Sequence, residues 1–160
     1  MTVRVGLGYD VHAVGGDRPL VLGGVVIDGP GLVGHSDADV VAHAVADALL
    51  GAADLPDLGA TFPERDDRYR DADSIALLRD VASRVADAGW SVGNVDVVVT
   101  AEAPRLAPHL AEMGTKLSDA VDGPVAVKAK RGEAVGAVGR GEAIAAWAVA
   151  LLSAELHPAA

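Results

Sequence analysis

The sequence predicts an α/β sandwich, a mixed sheet covered by helices on at least one face. Three observations lead there. Short β-branched runs alternate with Ala- and Leu-rich stretches of helical length. Residues 95–100 are a run of valines around one aspartate, which marks a buried strand. The 160 residues suffice for a single domain, 1–160, with a real core.

The elements follow in order. Residues 2–9 carry Val3, Val5 and Leu7 at strand spacing. Residues 19–28 are β-branched and interrupted by Gly23-Gly24, the pattern of a hairpin with a bulge or tight turn. Residues 37–53 are rich in Ala and Leu, and a helix there ends at the loop of Pro56 and Gly59. Residues 62–67 have no period and form a polar loop. A second helix over 73–88 is closed by Gly89, and the strand at 95–100 follows. After Pro104, residues 106–121 are helical and end at Gly123-Pro124. Residues 125–128 form a last strand and residues 141–156 a last helix. There is no internal repeat and no linker.

Composition narrows the class. Hydrophobic residues make up 51%, yet aromatics only 3%, so the core is built of small aliphatic side chains. No cysteine is present, which excludes disulfides and Cys-based metal sites and leaves His and carboxylate as the ligands for any zinc. A net charge of −10 with 13 Lys and Arg argues against nucleic acid as a partner through a general basic surface. The apolar run at 143–152 is too short and too broken to span a bilayer, so no membrane partner is expected. No basic region followed by an apolar stretch opens the sequence, and a cytoplasmic location is expected.

Two stretches carry chemistry. In Gly8-Tyr9-Asp10-Val11-His12, strand spacing puts Asp10 and His12 on one face, a carboxylate beside an imidazole. In Gly34-His35-Ser36-Asp37-Ala38-Asp39, capping residues lead into a helix that carries His43 about two turns in. Asp, His and His are the ligand set of a catalytic zinc site that keeps a fourth position open. Plainer readings compete. Asp39, His43 and Asp47 stand four apart and also suit a solvated polar stripe, and Ser36 and Asp37 suit helix caps. Arg65, Arg68 and Arg70 suit a mobile charged loop, and Gly136, Gly139 and Gly141 a turn into a helix. His109 and His157 read as ordinary surface residues.

Many fragments in register resemble the 2-C-methyl-D-erythritol 2,4-cyclodiphosphate synthases of the non-mevalonate isoprenoid pathway. Besides the two stretches above they include His43-Ala44, Asp47-Ala48-Leu49-Leu50-Gly51-Ala52-Ala53, Asp57-Leu58-Gly59, Phe62-Pro63 and Ala72-Asp73-Ser74. Gly93-Asn94-Val95-Asp96, Ala103-Pro104 and Gly139-Arg140-Gly141-Glu142 follow in the same order, so the resemblance covers nearly the whole chain.

The resemblance implies a homotrimer with sites between subunits, each holding zinc on Asp10, His12 and His43. It places His35 on the histidine that handles the reacting phosphate, with Ser36 beside it among the substrate contacts. Asp57 and Gly59 fall where the family holds a ribose, and Phe62, Pro63, Glu64, Arg65 and Asp66 on a loop over the erythritol part. Ala101, Ala103, Pro104, Arg105 and Leu106 match the segment lining a cytosine pocket. Lys130, Arg131, Gly132 and Glu133 match the diphosphate segment, where Glu133 ligates a second metal, magnesium or manganese. The implied reaction is attack of the 2-phosphate of a cytidine-diphosphate methylerythritol on its own β-phosphorus with release of CMP. Such a step needs charge neutralisation and alignment rather than a general base.

The sequence also departs from the family. Arg131 stands where a transition-state threonine is usual, so it either pairs with phosphate oxygens bidentately or crowds the site. The second outcome leaves an impaired trimer that binds cytidine diphosphate-type ligands. Glu64 replaces a usual Asp. Ala137 replaces a bulky apolar wall of an axial cavity, and Arg140, which in the family faces that cavity and can bind an isoprenoid diphosphate, is retained. The stretch 113–127 is a few residues short.

Overall fold

Alternation carries β1 (Thr2–Gly16) well past its first apolar run in the computed structural model, which describes residues 1–154. Asp10 and His12 therefore lie inside the strand, on the face shared by Gly6 and Gly8. Val3, Val5, Leu7, Tyr9 and Val11 point the other way. The expected hairpin forms from β2 (Leu20–Leu22) and β3 (Val25–Ile27). It turns on Gly23 and Gly24, whose φ of 57° and 73° suit a two-residue connection. The short β4 (Gly31–Leu32) pairs with the end of β1.

α1 (Val40–Ala53) follows, then one turn of α2 (Leu58–Thr61) and the longer α3 (Ser74–Asp87). β5 (Ser91–Thr100), α4 (Leu110–Val121), β6 (Val125–Lys130), the single turn α5 (Gly136–Gly139) and β7 (Ala143–Ala154) complete the chain. The main sheet runs β4-β1-β7-β5-β6, antiparallel except for the β5–β6 pair, so it is mixed. Helices pack on one face of it. Ile75, Leu78, Val81 and Val85 give α3 its buried stripe, and Met113, Leu117, Ala120 and Val121 give α4 its own. The opposite face leaves Val5, Leu7, Trp147 and Val149 exposed, with the Tyr9 and Trp147 rings 5.1 Å apart across two strands.

The helix expected at 141–156 is a correction. Residues 143–154 form β7, the middle strand, paired with β1 from Thr2↔Ala154 to Ala13↔Ala143 and with β5 on its other edge. Ala and Leu favour helix, but a period of two lies beneath that composition. Ile144, Ala146, Ala148, Ala150 and Leu152 are buried, while Trp147 and Val149 face outward. Two hydrogen-bonding neighbours override local propensity. Residues 155 and 156 of that expected helix, and His157, lie outside the described residues.

α1 also begins later than its sequence suggests. Its N-cap is Asp39 rather than Ser36 or Asp37, so His43 stands one turn into the helix, not two. Nor is Asp39 part of a solvated stripe, because it is fully buried. Its carboxylate accepts from Val41 and Ala42 at 3.1 Å each, capping the helix, and from Gly23 at 2.8 Å and Gly24 at 2.7 Å, docking the hairpin turn onto it. Asp39→Ala strands four backbone donors, two of them around the buried turn. A loss of about 3 kcal/mol is expected, read as a lower urea midpoint with unchanged slope. An unchanged midpoint would show that the turn and helix do not depend on this carboxylate. Among the described residues no helix is long and apolar enough to cross a membrane.

Candidate active site

β1 and α1 bring three ligand atoms together. Asp10 Oδ2 lies 3.0 Å from His12 Nε2 and 2.9 Å from His43 Nδ1, and the two ring nitrogens are 3.4 Å apart. It is the one such group of three among the described residues. The remaining polar atoms of each ligand are occupied. Asp10 Oδ1 accepts from the Val11 amide at 2.9 Å. His12 Nδ1 donates to the Val33 carbonyl at 2.7 Å, which leaves a lone pair on Nε2.

The same accounting works for His43. Ser74 spends its hydroxyl proton on Asp37, so Ser74 Oγ accepts from His43 Nε2 at 2.8 Å and leaves a lone pair on Nδ1. The Ser74 amide also donates to the Asp37 carboxylate, at 3.0 Å. Two lone pairs and a carboxylate oxygen thus face one another, an arrangement that suits a cation held between them. Burial works to raise the Asp10 carboxyl, but with protons in place of a cation on those two nitrogens the hydrogen bonds and charges of His12 and His43 outweigh it and hold it well below the usual carboxylate range. Burial works to lower the His12 imidazole, yet Asp10 and the Val33 carbonyl carry it above its ordinary value.

The cluster opens into a cavity of about 210 Å³. Of the residues singled out in the sequence, His35, Ser36, Gly59, Phe62 and Glu64 also line it. His35 Nε2 is buried there without a protein partner. Phe62, expected in a polar loop, is buried against Tyr69, ring centroids 5.2 Å apart. Asp57 caps α2 through the Ala60 amide at 2.8 Å and, like Pro63, Arg65 and Asp66, stands outside the cavity lining. A second cavity, of about 430 Å³, gathers Ala101, Ala103, Pro104, Arg105, Leu106, Lys130 and Arg131. Gly132, Glu133, Ala137 and Arg140 line neither cavity, and Arg140 pairs with Glu142 at 2.7 Å.

Sequence reasoning missed three contributors. Asp47 lines the first cavity and accepts from the Leu58 amide at 2.8 Å, and burial pushes its carboxyl above the ordinary value against that hydrogen bond. Its place one turn after His43 was the available signal. Ser74 orients His43, although nothing in its helix-start context separates it from an ordinary first-turn serine. Glu102 shares the second cavity and binds Arg131 through Oε1, leaving Oε2 buried without a protein partner.

A sequence profile of the YgbB family matches residues 3–153. The chain belongs to the YgbB family. A relative from Burkholderia mallei, named 2-C-methyl-D-erythritol 2,4-cyclodiphosphate synthase, is 52% identical over 159 residues, covering 97% of this chain and 98% of that protein. A bifunctional IspD/IspF enzyme of Anaeromyxobacter sp. (strain Fw109-5) is 54% identical over 153 residues, and the chain spans 40% of its length. Among solved structures, the CDP complex of Plasmodium falciparum IspF superposes with a TM-score of 0.82 at 29% identity, covering 96% of this chain and 97% of that one. The mixed sheet with its helices is thus a fold shared with that Plasmodium falciparum protein.

Proposed function

We propose that the protein is a cytoplasmic phosphorus–oxygen lyase. It converts 4-diphosphocytidyl-2-C-methyl-D-erythritol 2-phosphate to 2-C-methyl-D-erythritol 2,4-cyclodiphosphate and CMP. The observation that carries this reading is the convergence of Asp10, His12 and His43, with their outward nitrogens already spoken for, at a cavity that also holds an unpartnered His35 nitrogen. The names of the relatives support it independently.

Asp10, His12 and His43 would hold zinc or another divalent transition metal, which when bound supplies charge neutralisation at phosphate oxygens. Glu133, a carboxylate on an exposed loop, would hold magnesium or manganese, which when bound would supply further charge neutralisation. In the reaction an oxygen of the 2-phosphate forms a bond to the β-phosphorus, and the bond from that phosphorus to the bridging oxygen breaks. CMP leaves with the electron pair, and no proton need be removed from the attacking phosphate. His35 donates a hydrogen bond to the phosphate, and the folded substrate reacts as one molecule. The cavity at Ala101, Pro104 and Leu106 receives the cytosine, and Asp57 and Gly59 the ribose.

Homotrimer formation belongs to the same reading. Its support is the uncovered apolar face of β1 and β7 and the separation of the nucleotide segments between two cavities. The expected species in sedimentation has three times the 16.1 kDa chain mass. A monomer at micromolar concentration would remove the shared-site arrangement.

The deciding assay is incubation with the substrate, zinc and magnesium, followed by phosphorus NMR. The cyclic diphosphate and CMP are expected, and unchanged substrate under every metal condition would sink the proposal. One observation favours the second reading, an impaired trimer that binds cytidine diphosphate-type ligands: the Arg131 guanidinium is engaged by Glu102 rather than free for phosphate. Under that reading CDP binds without turnover and Arg131→Thr gains activity. Normal turnover in the unaltered chain removes it.

A further inference from the structure

The loop carrying His35 and the segment leading into α3 are tied together from outside both cavities. Arg18, between β1 and β2, donates through Nη2 to the Gly34 carbonyl and through Nη1 to the His35 carbonyl at 3.3 Å and to the Asp71 carboxylate. Asp71 sits in the left-handed region, φ 58°, and sends its own amide to the same His35 carbonyl at 3.0 Å. One residue further on, Ala72 accepts from the Asp37 amide at 3.1 Å. Two successive carbonyls and a carboxylate thus meet on one guanidinium. The planar fork of arginine presents its donors in fixed directions, which the rotating ammonium of a lysine does not.

The consequence falls on His35. With its backbone carbonyl and that of Gly34 fixed on Arg18, its ring lines the cavity of Asp10, His12 and His43, and Nε2 is left buried without a protein partner. His12 and His43 have anchors of their own beyond the clamp. Val33, which orients His12, is anchored by its amide to the Ala13 carbonyl at 2.9 Å, and His43 Nε2 meets Ser74 Oγ at 2.8 Å as well as Ser36 Oγ at 3.2 Å.

We propose that Arg18 is a positioning residue that fixes the His35 imidazole for contact with the reacting phosphate, acting through the Gly34 and His35 carbonyls and Asp71. This rests on the phosphate-facing reading of His35 given above. A purely structural Arg18 would disturb zinc content and stability together. A positioning Arg18 lowers kcat and leaves zinc in place.

The test combines kinetics with a readout that needs no turnover. Arg18→Ala should cut kcat about 100-fold with zinc stoichiometry retained, since a small misplacement of a phosphate-binding group costs about that much. In a His35→Ala background the same substitution should cost nothing further, because it acts only through His35. In proton–carbon NMR the His35 imidazole signal should move toward that of a solvent-exposed histidine, and by more than those of His12 and His43. An unmoved His35 signal overturns the proposal, and so does a full second loss of kcat in the His35→Ala background. A protein without turnover would defeat the proposed activity yet leave the NMR arm to decide on Arg18. Should Arg18→Ala fail to fold, Arg18→Lys carries the same expectation, since it keeps the charge but not the fork.

Discussion

Substitution of His43 by alanine should abolish stoichiometric zinc and lower kcat by about 10³-fold, while helix content stays nearly unchanged. The first part follows from the donor set. Asp10 and His12 alone offer two ligands where a catalytic zinc site uses three, and both come from one strand. The second follows from the chemistry. Losing about 4 kcal/mol of charge stabilisation on a transferring phosphate corresponds to about three decades of rate.

The third part follows from the helix. The His43 amide still donates to the Asp39 carbonyl at 3.0 Å, the N-cap is untouched, and alanine is the best helix former. Ser74 loses its imidazole partner but keeps its bond to Asp37. Elemental analysis beside circular dichroism reads both quantities on one sample. Full zinc occupancy in the variant would mean that the ion sits elsewhere.

How much of this was legible in the sequence depends on which interactions decide each feature. Local chemistry was readable: the Gly23-Gly24 turn, the Gly89 stop and the Asp10-x-His12 pair each follow from neighbours within a few residues. The meeting of His43 with that pair is a tertiary event, and the resemblance, not the spacing, placed it. β7 was misread because an Ala-rich run satisfies helix propensity and a two-residue period at once, and only its pairing with β1 and β5 decides between them. The roles of Asp39, Asp47 and Ser74 were hidden for a related reason. Each partners an atom remote from its own helix turn: Gly23 and Gly24, Leu58, and Asp37. A polar residue on a helix looks the same in sequence whether water or a distant amide completes it.

Gly8→Ala should destabilise the protein by about 3 kcal/mol, lowering the melting temperature by about 10 °C, and should weaken zinc binding in the same variant. α1 lies so close to β1 that a Cβ at Gly8 would stand 1.9 Å from the Ala44 carbonyl oxygen and 2.6 Å from the Ala48 nitrogen. These are backbone atoms inside a hydrogen-bonded helix, so no rotamer change relieves the clash and the helix itself must move off the sheet. His43 precedes Ala44 on that helix, and Asp10 follows Gly8 by two residues on the same strand face. The displacement that makes room for the methyl group therefore separates two of the three ligand atoms. Gly51→Ala is the matched control. It lies in α1, has nothing within 4 Å of a new Cβ, and should stabilise the protein by about 0.5–1 kcal/mol through helix propensity alone. If Gly8→Ala proved as stable as the unaltered chain, with zinc retained, the close seating of α1 on β1 would be wrong, and the geometry that joins His43 to Asp10 would fail with it.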